Sequence, residues 1–319
     1  MLGARTLWWK MWAMRFATLS LLLGAAAADE SMWRSDRLSV RNESMALRYY
    51  LDGVRVSPWH DVPYLAGDDS ATGRPLLHFV CEIPRGVSAK VEIHKSVPYN
   101  DLVQDVNKDG SPRYYTYSPS TVNYGAIPQT WEDPHHADAH TGLGGDNDPI
   151  DVLQLNEGSC VAGAVQRVRV LGALALVDGG ETDWKLLVVD VDAADAPAWR
   201  ELGDVPAERV NEVREWFRLY KTSDGKPPNE YGLNGEPIDA AAALAVAAET
   251  HALWGGAGRA RCEFGGEPCW GMEARRSVDW RSAGAAVFAL LAVAQLYFIV
   301  TAVQRKRRAL AAASPKKKR

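Results

Sequence analysis

Two long apolar stretches separated by a short acidic turn restrict this chain to a fold built on buried strands. The stretches cover residues 161–177 and 184–191 and are rich in Val and Leu. The glycines of Asp178-Gly179-Gly180, which lie between them, favour a tight turn. An apolar run at 77–83 and an alternating pattern at 89–94 predict further strands.

Helical periodicity is found only later in the chain. Apolar residues recur with a helical period between 208 and 221, and a Gly-Lys-Pro-Pro sequence ends the pattern. A second, Ala-rich amphipathic segment covers 238–254. Short strands with two late helices predict a barrel with accompanying helices. Cys81 and Cys160 lie in apolar runs and are predicted to be buried free thiols.

The two ends of the chain differ from its body in charge. All 40 carboxylates lie within 29–283. Residues 1–28 are basic, then apolar, and end in alanines, which is typical of a secretory signal peptide; a plastid or mitochondrial targeting segment is the alternative. Residues 283–303 carry no charge and are long enough for a transmembrane helix. The basic tail, 304–319, is then predicted to be cytosolic.

These ends predict a membrane-anchored protein whose body lies in the lumen of the endoplasmic reticulum or secretory pathway. The last four residues resemble a dilysine retrieval signal, and Asn42-Glu43-Ser44 is a glycosylation sequon. Residues 256–282 are predicted to be a juxtamembrane linker in which Cys262 and Cys269 are suitably spaced for a small disulfide loop. The acidic body excludes nucleic acid as a partner and favours divalent cations.

The most specific chemical signal is the acidic segment 145–151, GDNDPID. Asp146 and Asp148 point to one side of an extended chain, and Pro149 turns the backbone so that Asp151 rejoins them. Clustered carboxylates repel unless a cation lies among them, and their oxygens suit Mg²⁺, Mn²⁺ or Ca²⁺ rather than zinc. A solvated acidic loop is the alternative. A calcium loop of the helix–loop–helix type is excluded because its glycine is missing.

A second acidic group and several cations extend this signal. Asp178 and Asp183 flank the predicted turn, and Asp183 shares a strand face with Lys185; a hairpin with incidental acids is the alternative. Five cations are scattered through the body, and with metal-binding carboxylates they indicate a phosphate-containing ligand. These cations are Lys90, Arg113, Lys185, Lys221 and Lys226.

The motif GDNDPIDV at 145–152 resembles the signature of soluble family I inorganic pyrophosphatases. Flanking blocks at 79–95, 123–134, 176–190, 215–227 and 249–254 resemble the eukaryotic branch in the same order. The resemblance implies a mainly β fold, a five-stranded OB-like barrel with flanking α-helices within 29–255. It also implies Mg²⁺- or Mn²⁺-dependent hydrolysis of pyrophosphate to two phosphates by a metal-activated water, and a homodimer.

The resemblance further assigns roles to individual residues. Asp146, Asp151 and Asp183 resemble the core metal ligands, with Asp178 and Glu92 serving further metals. Asp148 resembles the general base, and Glu82 resembles a supporting carboxylate. The phosphate-binding residues correspond to Lys90, Arg113, Tyr124, Lys185, Tyr220 and Lys221.

One position departs from the family pattern. Ser120 stands where the family has a second tyrosine, and the loop after Arg113 is shorter, which leaves Tyr117 as the candidate replacement. The alternative function is a membrane-anchored, pyrophosphatase-like binding or scaffold protein with reduced or lost activity. A proton-pumping membrane pyrophosphatase is excluded because one span cannot form a pathway through the bilayer.

Overall fold

The computed structural model describes residues 38–43, 46–194, 196–258, 263–264 and 267–268. Within these ranges the chain is mainly β, as predicted. The strands are β1 (Leu38–Glu43), β2 (Ala46–Leu51), β3 (Val54–Val56), β4 (Leu65–Asp68), β5 (Pro75–Ile83), β6 (Val91–Ile93), β7 (Leu102–Gln104), β8 (Asn123–Ala126), β9 (Asp151–Gln154), β10 (Val165–Asp178), β11 (Glu181–Asp190), β12 (Glu230–Tyr231), β13 (Ile238–Asp239), β14 (Glu263–Phe264) and β15 (Glu267–Pro268). The α-helices are α1 (Ala207–Leu219) and α2 (Ala240–Leu253).

Five of these strands close into a barrel. Strand β5 pairs with β8, β8 with β9, β9 with β11, and β11 with β10, which returns to pair with β5. The β9–β11 pair is parallel and the others are antiparallel. Strands β4, β12 and β13 extend this sheet at its margins. The pairing confirms the predicted five-stranded barrel with accompanying helices.

The two long strands β10 and β11 bury side chains on both faces. Val168 and Val188 belong to the apolar cluster that packs against α2, whereas Leu174 and Leu187 belong to the cluster that packs against α1. Burial on both faces explains why these strands are almost continuously apolar in sequence. At Gly125 of β8, a Cβ atom would lie 1.9 Å from a β5 carbonyl oxygen, so only glycine fits there.

A second sheet forms from segments that carried little sequence pattern. Its order is β1-β2-β7-β6, with β3 pairing to β2. The predicted strand at 89–94 forms over the shorter span of β6, and β7 forms in the stretch 96–120, for which the sequence predicted no strand. Strands this short are held by their neighbours, so their own residues specify them weakly.

Cys81 and Cys160 form a disulfide, so the prediction of two free thiols was wrong. Their Cα atoms lie 6.6 Å apart although 79 residues separate them in sequence. The Cys81 N–H donates to the Ala164 carbonyl, and the Cys81 carbonyl accepts from the Gly163 N–H. This backbone pairing brings the 160–164 segment alongside β5, a tertiary contact that the apolar surroundings of each cysteine did not reveal.

None of the helices in the described ranges combines the length and the apolar character needed to cross a bilayer. The predicted signal segment, transmembrane helix and basic tail lie outside the described residues, as do Cys262 and Cys269.

Candidate active site

One polar cavity of about 350 Å³ gathers residues from the barrel, the second sheet and the end of α1. Every site residue predicted from the sequence lies in its lining, although these residues come from distant parts of the chain. They are Glu82, Lys90, Glu92, Arg113, Tyr124, Asp146, Asp148, Asp151, Asp178, Asp183, Lys185, Tyr220 and Lys221. Their individual roles stay predictions, but their convergence is a property of the fold.

The acidic loop 145–151 is held against the preceding segment by backbone hydrogen bonds. The Glu132 N–H donates to the Asp148 carbonyl, and the Asn147 N–H donates to the Glu132 carbonyl, both at 2.9 Å. Asn147 adopts a φ of 71°, a left-handed conformation that asparagine tolerates. At Gly145 a Cβ atom would lie 2.4 Å from the Glu132 carbonyl carbon, so the close approach requires glycine.

This pairing creates a carboxylate group that the sequence did not reveal. Glu132, Asp146 and Asp183 place one oxygen each within 4.8 Å of one another, and we call these three residues the carboxylate triad. Glu132 is 3% exposed; its Oε1 accepts a hydrogen bond from the Trp184 N–H. Its Oε2 is buried and has no hydrogen-bond partner in the described part of the chain.

Burial, together with repulsion from neighbouring carboxylates, raises the pKa of all three triad carboxyls. Burial is the larger cause for Glu132, followed by the charges of Asp146 and Asp183. Burial also raises the pKa of Asp146, and raises that of Asp183 to about 7. Grouping three carboxylates in this way is unfavourable without a cation, which is the electrostatic condition of a metal site.

Lys185 is the most buried cation of the cavity. It is 2% exposed and its Nζ contacts the carboxylates of Asp151 and Asp183. Burial alone would lower the pKa of Lys185, but these two carboxylates outweigh it and raise the pKa well above its usual value. The Tyr124 hydroxyl also donates to Asp151 at 2.6 Å, on the same oxygen, Oδ2, that Lys185 contacts.

Lys90 and Arg113 are each paired with a carboxylate. Asp105, which the sequence analysis did not single out, accepts from Arg113 Nη1 at 2.7 Å and lies 3.4 Å from Lys90 Nζ. Burial would raise the pKa of Asp105, but the Arg113 hydrogen bond and the Lys90 charge lower it. Lys90 also contacts Glu92, so Asp105 and Glu92 fix the head of this side chain.

Asp178 accepts two contacts at the end of β10. The Tyr220 hydroxyl lies 3.3 Å from its carboxylate, and Lys221 Nζ contacts the same oxygen. Although burial would raise the pKa of Asp178, the hydrogen bond from Lys221 lowers it. The predicted turn between β10 and β11 therefore carries a paired acid rather than incidental surface charge.

Asp148 is the most accessible carboxylate of the acidic loop. Its side chain is 40% exposed, and its Oδ1 lies 2.9 Å from Lys95 Nζ, an ion pair absent from the sequence analysis. A carboxylate in this position is open to water within the cavity while its neighbours Asp146 and Asp151 face inward. It has the accessibility that a proton acceptor for a water molecule requires.

Ser120, the position that departs from the family pattern, and its candidate replacement Tyr117 are both absent from the cavity lining. Ser120 is buried, and its hydroxyl donates to the Val122 carbonyl at 2.7 Å. Tyr117 is 42% exposed and lies outside the cavity lining, so its candidacy as the replacement was wrong. Tyr115 lines the cavity instead. Glu181 and Lys226 are further lining residues outside the predicted set of roles.

Comparisons with known proteins agree on one family. The sequence model of the family described as inorganic pyrophosphatase matches residues 79–255. Inorganic pyrophosphatase of Mus musculus is 44% identical over 209 residues, which cover 63% of this chain and 70% of the relative. Soluble inorganic pyrophosphatase 1, chloroplastic, of Chlamydomonas reinhardtii is 42% identical over 208 residues, covering 64% and 71%.

Two solved structures are similar in fold. Type I inorganic pyrophosphatase from Toxoplasma gondii aligns with a TM-score of 0.63 and 34% identity, covering 68% of this chain and 97% of that one. An N-terminally truncated vacuolar soluble pyrophosphatase of Trypanosoma cruzi, solved in complex with PPi, aligns with a TM-score of 0.64 and 33% identity, covering 68% and 89%.

Proposed function

The chain belongs to the inorganic pyrophosphatase family, and from that premise we propose that its cavity hydrolyses pyrophosphate to two phosphates with Asp148 as the general base. Hydrolysis of inorganic pyrophosphate follows from membership of the family. We propose the roles that the individual residues have in that reaction. The observation that carries it is the convergence of the acidic loop, Asp183 and five cations on one cavity, where Asp146 and Asp183 form the carboxylate triad with the neighbouring Glu132.

The carboxylate triad fits a divalent metal ion. Its donors are all carboxylate oxygens, which are the ligands that Mg²⁺ and Mn²⁺ prefer, and zinc would favour nitrogen or sulfur. The buried, unpartnered Oε2 of Glu132 is the kind of atom that a cation would satisfy. We therefore propose Mg²⁺ or Mn²⁺ as the cofactor, held by Glu132, Asp146 and Asp183, with Asp151, Asp178 and Glu92 as further carboxylates around it.

The protein groups divide the remaining work of the reaction. Divalent cations, when bound, neutralise phosphate charge and make a water molecule more acidic. The Asp148 carboxylate is open to the cavity and takes the proton of the attacking water. The ammonium groups of Lys90 and Lys221 and the guanidinium of Arg113 bind phosphate oxygens and offset the negative charge that grows on the leaving phosphate. Glu82 holds β6 in place, because its Oε1 accepts the Ile93 N–H at 2.7 Å.

A phosphate-release assay on the full chain tests this assignment. Asp148→Asn keeps the shape of the side chain and removes the proton acceptor, so we expect turnover to fall by at least about 100-fold while Mg²⁺ binding and the unfolding temperature stay near wild type. Asp109→Asn, a matched change at an exposed loop position, should leave turnover unchanged. Wild-type turnover that persists after all divalent metal is chelated would contradict the proposed cofactor, and full activity of Asp148→Asn would contradict the proposed base.

The location of the enzyme is a separate proposal that rests on the sequence of its ends. We propose that 1–28 direct the chain to the secretory pathway, that 283–303 anchor it in the membrane, and that the 29–255 domain lies in the lumen of the endoplasmic reticulum, joined by the 256–282 linker. The Cys81–Cys160 disulfide supports an oxidising compartment. Plastid or mitochondrial targeting is the competing outcome.

Protease protection of the domain in intact microsomes tests this topology. Asn42 lies exposed on β1, so a lumenal domain should also carry a glycan that Asn42→Gln removes, seen as a mobility shift. A domain digested without detergent would contradict the proposal.

We also propose a homodimer, which light scattering of the detergent-solubilised chain would detect as twice the protomer mass.

A further inference from the structure

We propose that the hydroxyl of Tyr115 donates a hydrogen bond to a phosphate oxygen of bound pyrophosphate, an inference that rests on the proposed function of the cavity. Tyr115 belongs to no predicted strand or motif. It lies in the short segment between Arg113 and Ser120, where this chain departs from the pattern of its family.

The backbone of this segment determines which side chains enter the cavity. The Lys90 N–H donates to the Arg113 carbonyl, the Tyr115 N–H donates to the Ser88 carbonyl, and Ala89 and Tyr114 form an antiparallel bridge between them. Side chains alternate along such an extended pairing. Arg113 and Tyr115 therefore face the cavity, whereas Tyr114 points away and is 52% exposed.

The ring of Tyr115 is fixed by aromatic contacts from α1. It packs edge-on against Trp216 and Tyr220, with ring centroids 5.1 and 5.8 Å away. Both contacts involve the ring and not the hydroxyl. A phenylalanine would therefore keep the packing, so the packing of the ring does not account for the hydroxyl.

The hydroxyl of Tyr115 differs from those of the other tyrosines in the cavity. The Tyr124 hydroxyl is engaged by Asp151 and the Tyr220 hydroxyl by Asp178. For Tyr115, the residues that the structure describes supply no hydrogen-bond partner for the hydroxyl. It is thus a donor directed into a polar cavity with its hydrogen-bonding capacity unused.

Charged groups of both signs surround this hydroxyl, and Lys90 is the one with the largest effect. Lys90 and Lys185 act on it with positive charge, and Asp151 and Glu92 act on it with negative charge. Burial raises the pKa of Tyr115 above its usual value, so the hydroxyl keeps its proton at neutral pH and remains a donor. A phosphate oxygen drawn to Lys90 would come within reach of this donor.

Three matched variants test the proposal: Tyr115→Phe, with Tyr114→Phe and Tyr117→Phe as controls. Each loses one hydroxyl from the same segment, but the two controls are exposed and lie outside the cavity lining. The probes are pyrophosphate turnover with Mg²⁺ and calorimetric binding of methylenediphosphonate, which cannot be hydrolysed. Mg²⁺ binding without the diphosphonate and the unfolding temperature complete the set.

We expect Tyr115→Phe to weaken diphosphonate binding and to raise KM about tenfold, the loss of one hydrogen bond to a charged group. Mg²⁺ binding and unfolding should be unchanged, and both controls should stay within about twofold of wild type. Wild-type affinity in Tyr115→Phe would overturn the inference, as would a lowered unfolding temperature, which would assign the hydroxyl a bond within the protein. If the wild-type enzyme shows no Mg²⁺-dependent turnover, the proposed function fails instead.

Discussion

Replacing Glu132 by glutamine should change the stability and the metal affinity of this protein in opposite directions. The substitution keeps the oxygen that accepts the Trp184 N–H and replaces the buried, unpartnered Oε2 by an NH₂ group. That group donates hydrogen bonds, so it suits the neighbouring carboxylates of Asp146 and Asp183. It cannot bind a cation.

The distances between the triad carboxylates set the size of the gain in stability. Two full charges 4.8 Å apart repel by about 3 kcal/mol at an effective dielectric constant of about 20. The raised pKa values of the three carboxyls mean that part of this charge is already removed by protonation. We therefore expect the metal-free variant to gain about 1–2 kcal/mol, an increase of about 2–8 °C in unfolding temperature for a domain of this size.

The effect of the substitution on metal affinity has the opposite sign. Losing one of three anionic donors should weaken Mg²⁺ or Mn²⁺ binding by about 10- to 100-fold, the range observed when metal-site partners are removed. Thermal unfolding in chelator and calorimetric titration with Mn²⁺ measure the two effects separately. Glu157→Gln, a matched change at an exposed loop residue, should alter neither. A variant that is less stable without metal, or one that binds Mn²⁺ as wild type does, would refute the placement of Glu132 in the metal site.

Three further predictions concern the framework around the site. Burial lowers the pKa of His78 below 6.5. Its contribution to the free energy of unfolding is therefore present above that pH and is lost as the pH falls. Between pH 7 and 5, His78→Asn should lose less stability than the wild type does, as measured by urea unfolding. Removing the Cys81–Cys160 disulfide by Ser substitution or reduction should cost about 2–4 kcal/mol, given the 79-residue separation, and an unchanged unfolding midpoint would contradict a formed disulfide. Gly125→Ala should cost about 3 kcal/mol or more, because its Cβ would overlap a β5 carbonyl, and near-native stability in a denaturant titration would contradict the close strand approach.

The barrel and the acidic loop were predictable because their signals are local. Strands β10 and β11 are long, apolar and joined by a glycine turn, so composition and period identify them without knowledge of their partners. The loop 145–151 carries its carboxylates within a few residues of one another, and its resemblance to a known signature supplied the flanking blocks.

The residues that the sequence did not reveal depend on pairings between distant segments. Glu132 reaches Asp183 only because the loop 145–151 folds back on the chain before it. Tyr115 and Tyr117 are equally aromatic and lie two residues apart, but the pairing with 88–90 directs only the first into the cavity. A one-dimensional pattern cannot distinguish these positions, since the difference lies in which strand each one meets.

The charges of the cavity are arranged as pairs that the substrate and its metal ions would exchange. In the described residues Lys90 contacts Glu92, Lys185 contacts Asp151, and Lys221 contacts Asp178. In such pairs each buried charge has an opposite charge beside it, which offsets part of the cost of burying both. A pyrophosphate anion entering with divalent cations offers every lysine a phosphate oxygen and every carboxylate a cation. Ion pairs within the protein are then exchanged for ion pairs with the ligands. Neither ligand alone can complete that exchange, so each should favour the binding of the other.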